Sequence, residues 1–223
     1  MRVYKLTNPD YMTHNNTLWG ENVTHETSGI GDLCSAGWLH YYYHPILANL
    51  LNPIHAQIRQ PILWEAEAEG RHRDDHGLKG GCTKLTTIKQ IPLPQISLEE
   101  RVEFAIRCAR TLHCSDAWIS WSDKWLSGEE RNMDILYMLS IWDNNYFHLL
   151  NSACYRASLA ARSWKSSTLA SGEEHKSARE GCINDCIYES ASSIQLAVDL
   201  SITKVDSLNL NDIIPLVFPN YGE

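Results

Sequence analysis

No proline stands between Pro94 and Pro215, a gap that constrains the fold more than any other feature of this 223-residue chain. Proline removes a backbone donor and breaks helix interiors, so a long proline-free stretch permits packed helices. Residues 1–96 instead hold six of the eight prolines, eight of the twelve glycines and seven of the ten histidines, but only two serines. Residues 97–223 hold eighteen serines and eleven alanines. The Ile91-Pro92-Leu93-Pro94 segment reads as an extended hinge. The expectation is therefore an α+β fold: a first domain over 1–94, built on a small curved sheet with a packed helix, then an all-α helical bundle over 97–223.

Helix signals are explicit in the second part. Ser97-Leu98-Glu99-Glu100 is a capping box, in which the hydroxyl takes the third amide and the carboxylate reaches back. Val102, Ala105, Ile106, Ala109 and Leu112 follow on one stripe. Ser115 starts a helix closed by Gly128, with Trp118, Trp121 and Trp125 on one face. Residues 132–169 and 173–202 read as long Ala/Ser-rich helices whose small side chains permit close approach, and 211–218 as a short closing helix. Ser127-Gly128-Glu129-Glu130 recurs as Ser171-Gly172-Glu173-Glu174 and reads as helix-start chemistry.

In the first part, Arg2–Leu6, Trp38–Tyr42, Leu63–Glu69 and Lys84–Ile91 read as strands. The third alternates, with Glu65, Glu67 and Glu69 on one face and Trp64, Ala66 and Ala68 on the other. Pro45 to His55 reads as a helix, since proline suits a first turn. Arg71–Gly81 reads as a charged loop.

Two resemblances follow from these residues. Leu33-Cys34-Ser35-Ala36-Gly37-Trp38-Leu39-His40, the proline-initiated helix, Leu63-Trp64-Glu65-Ala66-Glu67-Ala68-Glu69-Gly70 and the Lys/Thr-rich strand resemble an uncharacterised domain of tailed bacteriophages. Leu98 to Ala109 and Trp121 to Gly128 look like the segment that follows there. That resemblance implies a phage origin and no activity. More weakly, the Gly37-Trp38-Leu39-His40 strand, helix and Glu67-Ala68-Glu69-Gly70 layout is similar to ADP-ribosyltransferases of the poly-ADP-ribose polymerase type, which implies NAD as cofactor. Leu39 stands where that family has its nicotinamide-stacking tyrosine. The first strand lacks the ribose-binding histidine, and Lys84–Ile91 lacks the glutamate that steadies the oxocarbenium ion. Such a pocket can persist as a nucleotide-binding site.

The candidate ligand wall is the second strand. Alternation puts Trp38, His40 and Tyr42 on one face, Tyr41 and Tyr43 on the other, and Arg71 and Arg73 complete the candidate set. Trp118, Trp121 and Trp125 are candidates for a protein interface. The histidine pairs His40/His44 and His72/His76, the latter flanking Asp74 and Asp75, have zinc-like spacing. A strand separates residues four apart by more than about 12 Å, however, and no cysteine pair two residues apart supports zinc, so no metal site is assigned. Cys182 and Cys186, one helical turn apart, read as buried hydrophobes, and Cys34 as a core cysteine at a strand start. Glu65, Glu67 and Glu69 read as a solvated face partnered by Arg59, Arg71 and Arg73.

The net charge of −8, from 19 basic against 27 acidic residues, argues against tracking a nucleic-acid backbone. No segment is long and apolar enough to span a membrane, and the first residues lack a secretory leader. Seven scattered cysteines suggest reduced thiols. With the phage origin that the resemblance implies, these features lead to the expectation of a phage accessory protein in the host cytoplasm that binds a host or phage protein and needs no cofactor. An NAD-using transferase and a virion component are the alternatives, and the oligomeric state is left open.

Overall fold

In the computed structural model the strict alternation of Leu63 to Glu69 becomes the central strand of an antiparallel sheet. Residues 1–112, 115–131, 152–170, 172, 175–201 and 208–221 are described. The chain is α+β and divides into two compact units, Met1–Ile96 and Ser97–Glu223.

The strands of the first unit are β1 (Arg2–Thr7), β2 (Met12–Thr13), β3 (Thr17–Leu18), β4 (Val23–Glu26), β5 (Leu39–Tyr41), β6 (Ile62–Asp74) and β7 (Gly80–Ile91). The main sheet runs β1-β6-β7-β4, with β5 also on β7, while β2 and β3 form a separate hairpin. Just past β5, Tyr42 pairs with Tyr4 of β1 through two 2.8 Å hydrogen bonds. The sheet is thus curved enough for β5, on one side of β7, to reach β1 on the far side of β6. Val3, Trp19, Leu39, Tyr41, Ala66, Ala68, Cys82 and Leu85 pack together as a core cluster. Helix α1 (Pro45–His55) packs against β1, burying Ile46, Leu47, Leu50 and Leu51. His44 caps it, its Nδ1 accepting from the Ile46 amide at 3.2 Å.

The expected loop at 71–81 is corrected by this structure. Strand β6 continues to Asp74 and β7 begins at Gly80, with a tight turn through His76 and Gly77, both at positive φ. Sequence alternation breaks at Gly70, whose φ of +79° accompanies a register shift between Glu69 and His72. A bulge of this kind re-phases a strand without ending it, so a period-two reading stops at Glu69 while the strand runs on to Asp74. The short strands β2, β3 and β4 were also absent from the sequence reading, being too short for alternation to register.

In the second unit, helix α2 (Leu98–Ala109) begins with the expected capping box, Ser97 Oγ accepting from the Glu100 amide and Glu100 taking the Ser97 amide at 2.7 Å. Helix α3 (Asp116–Ser127) is capped by Ser115 and ends at Gly128 in the left-handed conformation. The Ser-Gly-Glu-Glu motif at 127–130 is therefore helix-stop chemistry. Its second copy falls largely on residues outside those described. Helices α4 (Ser152–Leu169), α5 (Lys176–Ser201) and α6 (Leu210–Val217) follow. The expected helix over 132–151 also lies outside the described residues. Small side chains set the α4–α5 contact: Ala153, Ala157, Ala160, Ala191 and Ala197 are buried, and Ser193 Oγ donates to Ala153 O at 2.8 Å. Arg156 crosses to both oxygens of Glu189 at 2.7–2.8 Å.

Trp118, Trp121 and Trp125, whose shared face reads as core or as an interface candidate, are interior. Their shared face is covered by α4: Trp118 Nε1 donates to Ser158 Oγ at 3.0 Å, and the Trp125 ring meets Trp164 edge-on at 5.9 Å. Trp118→Phe removes that hydrogen bond and leaves a void, so we expect urea unfolding of the helical unit to show a loss of about 1–3 kcal/mol. A change below about 0.5 kcal/mol would contradict this placement. Among the described residues five cysteines are free, whereas Cys154 is disulfide-bonded, a departure from the expectation of uniformly reduced thiols.

Candidate functional site

The first unit encloses a cavity of about 390 Å³, within the size range of small-molecule sites. Its lining comes from β1, the β2–β3 hairpin, the 34–36 loop, β5 and the end of α1. Trp38, His40 and Tyr42 all line it, so three of the sequence candidates converge. Leu39 and Tyr41 belong to the core cluster and line the cavity as well, so the whole run Trp38 to Tyr42 borders it. The His40 ring is bonded through Nε2 to Leu33 O, and burial holds its pKa below the ordinary histidine value. Tyr42 stacks on His55 with ring centroids 6.0 Å apart and 14° between planes.

Arg71 and Arg73 do not line the cavity. Because they belong to a strand rather than a loop, their reach is fixed by the sheet. Arg71 Nη2 donates to Ser28 O, and Arg73 lies over the Trp38 ring, 5.3 Å from its centre and 3.9 Å from Asp32.

Sequence reasoning missed the group that most distinguishes the cavity. Lys5, on β1, lines it while only 8% exposed. Its Nζ donates to His40 O at 2.7 Å and sits 4.9 Å from the centre of the Trp19 ring. Beyond the Tyr4–Tyr42 pair the β1–β5 seam has no further ladder, and Lys5 takes the next carbonyl along it. Burial pulls its pKa down to about 8. Lys79, on the turn before β7, also lines the cavity, with Nζ 3.4 Å from Cys34 Sγ and 3.8 Å from Asp75. Lys5, Lys79 and His14 all depress the His40 pKa after burial, which is the field expected where basic groups converge.

The other candidates fall elsewhere. Glu65 pairs with Arg2 at 2.9 Å and Lys89 at 3.8 Å, and Glu69 with Lys84 at 2.5 Å. Arg59, Arg71 and Arg73 are therefore not their partners: antiparallel register puts Lys84 opposite Glu69 and Lys89 opposite Glu65. His72 meets the Tyr41 hydroxyl at 3.2 Å, and His76 sits in the turn. Among the described residues no three His, Cys, Asp or Glu side chains are grouped to hold a metal ion.

The class defined here is an α+β domain with an aromatic-walled cavity whose charged lining is entirely basic. No protein-family model, curated protein or solved structure matches the chain.

Proposed function

We propose that the N-terminal unit binds a small anionic molecule carrying a flat apolar group, of the size and character of a mononucleotide or an aromatic phosphate or carboxylate. One observation carries this reading. The cavity presents Lys5, Lys79, His14, His40 and His55 and no Asp or Glu, although the unit holds 8 basic and 9 acidic residues and the chain carries −8. A lining with basic side chains and no Asp or Glu, the nearest carboxylate to Lys79 being Asp75 at 3.8 Å, favours a negative guest, and Trp38 and Tyr42 offer it a stacking surface. The resemblance to tailed-phage proteins supports a role as an accessory protein inside the infected host cell. None of the described helices is long and apolar enough to cross a membrane. An NAD-dependent transferase finds less support, since the lining lacks a carboxylate to steady a developing oxocarbenium charge.

Trp19 and Trp38 report on occupancy directly. Titrating the full chain with nucleoside monophosphates and aromatic carboxylates, against their neutral nucleoside and amide counterparts, is expected to quench tryptophan emission. The anions should bind at least about tenfold more tightly, since two positive side chains each contribute on the order of 1 kcal/mol to a charged guest. Equal affinity for neutral analogues, or no quenching by any member, would defeat the proposal.

A further inference from the structure

We propose that Lys5 is a reactive amine that captures carbonyl-bearing anions in this cavity as an imine. The inference rests on the anion-pocket reading and deepens it by naming the chemical class of guest.

The lysines of the structure are not alike. Lys79, Lys84, Lys89 and Lys124 each stand within 4 Å of a carboxylate, at 3.8, 2.5, 3.8 and 3.2 Å respectively. Such partners hold an ammonium in its protonated, unreactive form. Among the described residues no carboxylate pairs with Lys5. Its contacts are a backbone carbonyl and the Trp19 ring, and it lines a cavity large enough for a guest. With a pKa near 8, roughly a tenth of Lys5 is neutral at pH 7, against about 0.03% for an ordinary lysine. Desolvation in an apolar pocket is a general route to an amine nucleophile. Lys79 and the histidines His14 and His55 also line the cavity and are available for the guest's negative charge.

The step balances without another reagent. The Lys5 nitrogen lone pair forms a bond to the carbonyl carbon, and the carbonyl π pair moves to oxygen, giving a carbinolamine. The oxygen then leaves as water with the two amine hydrogens, and a C=N bond remains. The trapped species is reversible in water and becomes permanent only when hydride is added to its carbon.

The test uses the full chain and two probes, pyridoxal 5′-phosphate and its alcohol counterpart pyridoxine 5′-phosphate. Both are flat and anionic, but only the first has a carbonyl. After incubation at pH 7 and borohydride reduction, peptide mapping by mass spectrometry is expected to find Lys5 labelled at least tenfold faster than Lys84 or Lys124. Lys5→Arg keeps a cation but cannot form a neutral imine, so it should lose the adduct while tryptophan quenching still reports the alcohol. If the alcohol binds and Lys5 is labelled no faster than surface lysines, the imine proposal is overturned and the anion pocket survives. If neither probe binds and labelling is uniform, both fail.

Discussion

Lys5→Met is expected to make the N-terminal unit more stable and to weaken its preference for anions. The folded protein holds this amine at a pKa of about 8 through burial, against 10.5 for the exposed group. Below pH 8 the folded and unfolded chains both carry the proton, and the full desolvation cost of the ammonium is present. Between pH 8 and 10.5 the unfolded chain binds the proton and the folded one sheds it, so wild-type stability contributed by this site rises with pH. The size of the shift corresponds to about 3 kcal/mol. Methionine fills a similar volume without charge but leaves His40 O without its 2.7 Å donor, a loss of about 1 kcal/mol. The net expectation at pH 7 is a gain of about 1–2 kcal/mol, seen as a higher urea midpoint for the N-terminal unit. The gap between variant and wild type should close as pH is raised from 8 to 10.5. Affinity for nucleoside monophosphates should fall about fivefold in the same variant, since one of two positive side chains, each worth on the order of 1 kcal/mol, is lost. A variant less stable than wild type at pH 7, or one that binds anions unchanged, would refute the assignment of Lys5 as a cation held for a guest.

Why Lys5 escaped the sequence, while Trp38, His40 and Tyr42 did not, has a physical reason. Trp38, His40 and Tyr42 lie on and beside β5, a strand signalled by its aromatic run, and every residue from Trp38 to Tyr42 borders the cavity while Leu39 and Tyr41 also join the core cluster. Strand β1 breaks the alternation of a half-buried strand, because Val3, Lys5, Leu6 and Thr7 are all buried. The curved sheet brings Tyr42 against Tyr4 and α1 packs on the same strand, so both faces are covered. Period-two logic assigns a lysine between apolar neighbours to solvent, and only the long-range closure of β5 on β1 reverses that. Helix caps, by contrast, are local, and Ser97, Ser115 and Gly128 behaved as their short-range chemistry dictates. The arginines failed for an intermediate reason. Gly77, Gly80 and Gly81 make the Arg71–Gly81 segment read as a loop, whereas Gly70 at φ +79° serves a bulge inside a long strand that carries Arg71 and Arg73 onward. The three tryptophans of α3 were correctly placed on one face, but a face says nothing of what covers it. The covering helix α4 lies some thirty or more residues further along the chain.

Gly37→Ala is expected to damage the cavity more than any substitution among its lining side chains. A Cβ at this position would lie 2.0 Å from Ile30 O, 2.9 Å from Ile30 N and 3.0 Å from Ile30 C. Every one of these atoms is backbone, so no rotamer change relieves the overlap, and one of the two chain segments must move. Both are tied down. Gly37 O accepts from Thr27 Oγ1 and Gly29 N, each at 2.8 Å, while Ser35 Oγ donates to Ile30 O at 3.2 Å. Trp38 Nε1 donates to Gly31 O at 3.0 Å, and His40 is bonded to Leu33 O, so the loop also sets the orientation of two wall residues. Displacing it disturbs Cys34, Ser35, Ala36 and Trp38 together, all of which line the cavity. The expected loss is about 2–4 kcal/mol in the N-terminal unit, in the range of forced overpacking combined with broken hydrogen bonds. Anion affinity should fall at least tenfold, and Trp38 emission should shift to the red as its ring gains water. The helical unit supplies the internal control, since its urea transition should keep its wild-type midpoint. If Gly37→Ala leaves the first transition, the emission and the affinity as they were, then the 28–38 loop does not pack as described and the cavity it walls is not the binding site.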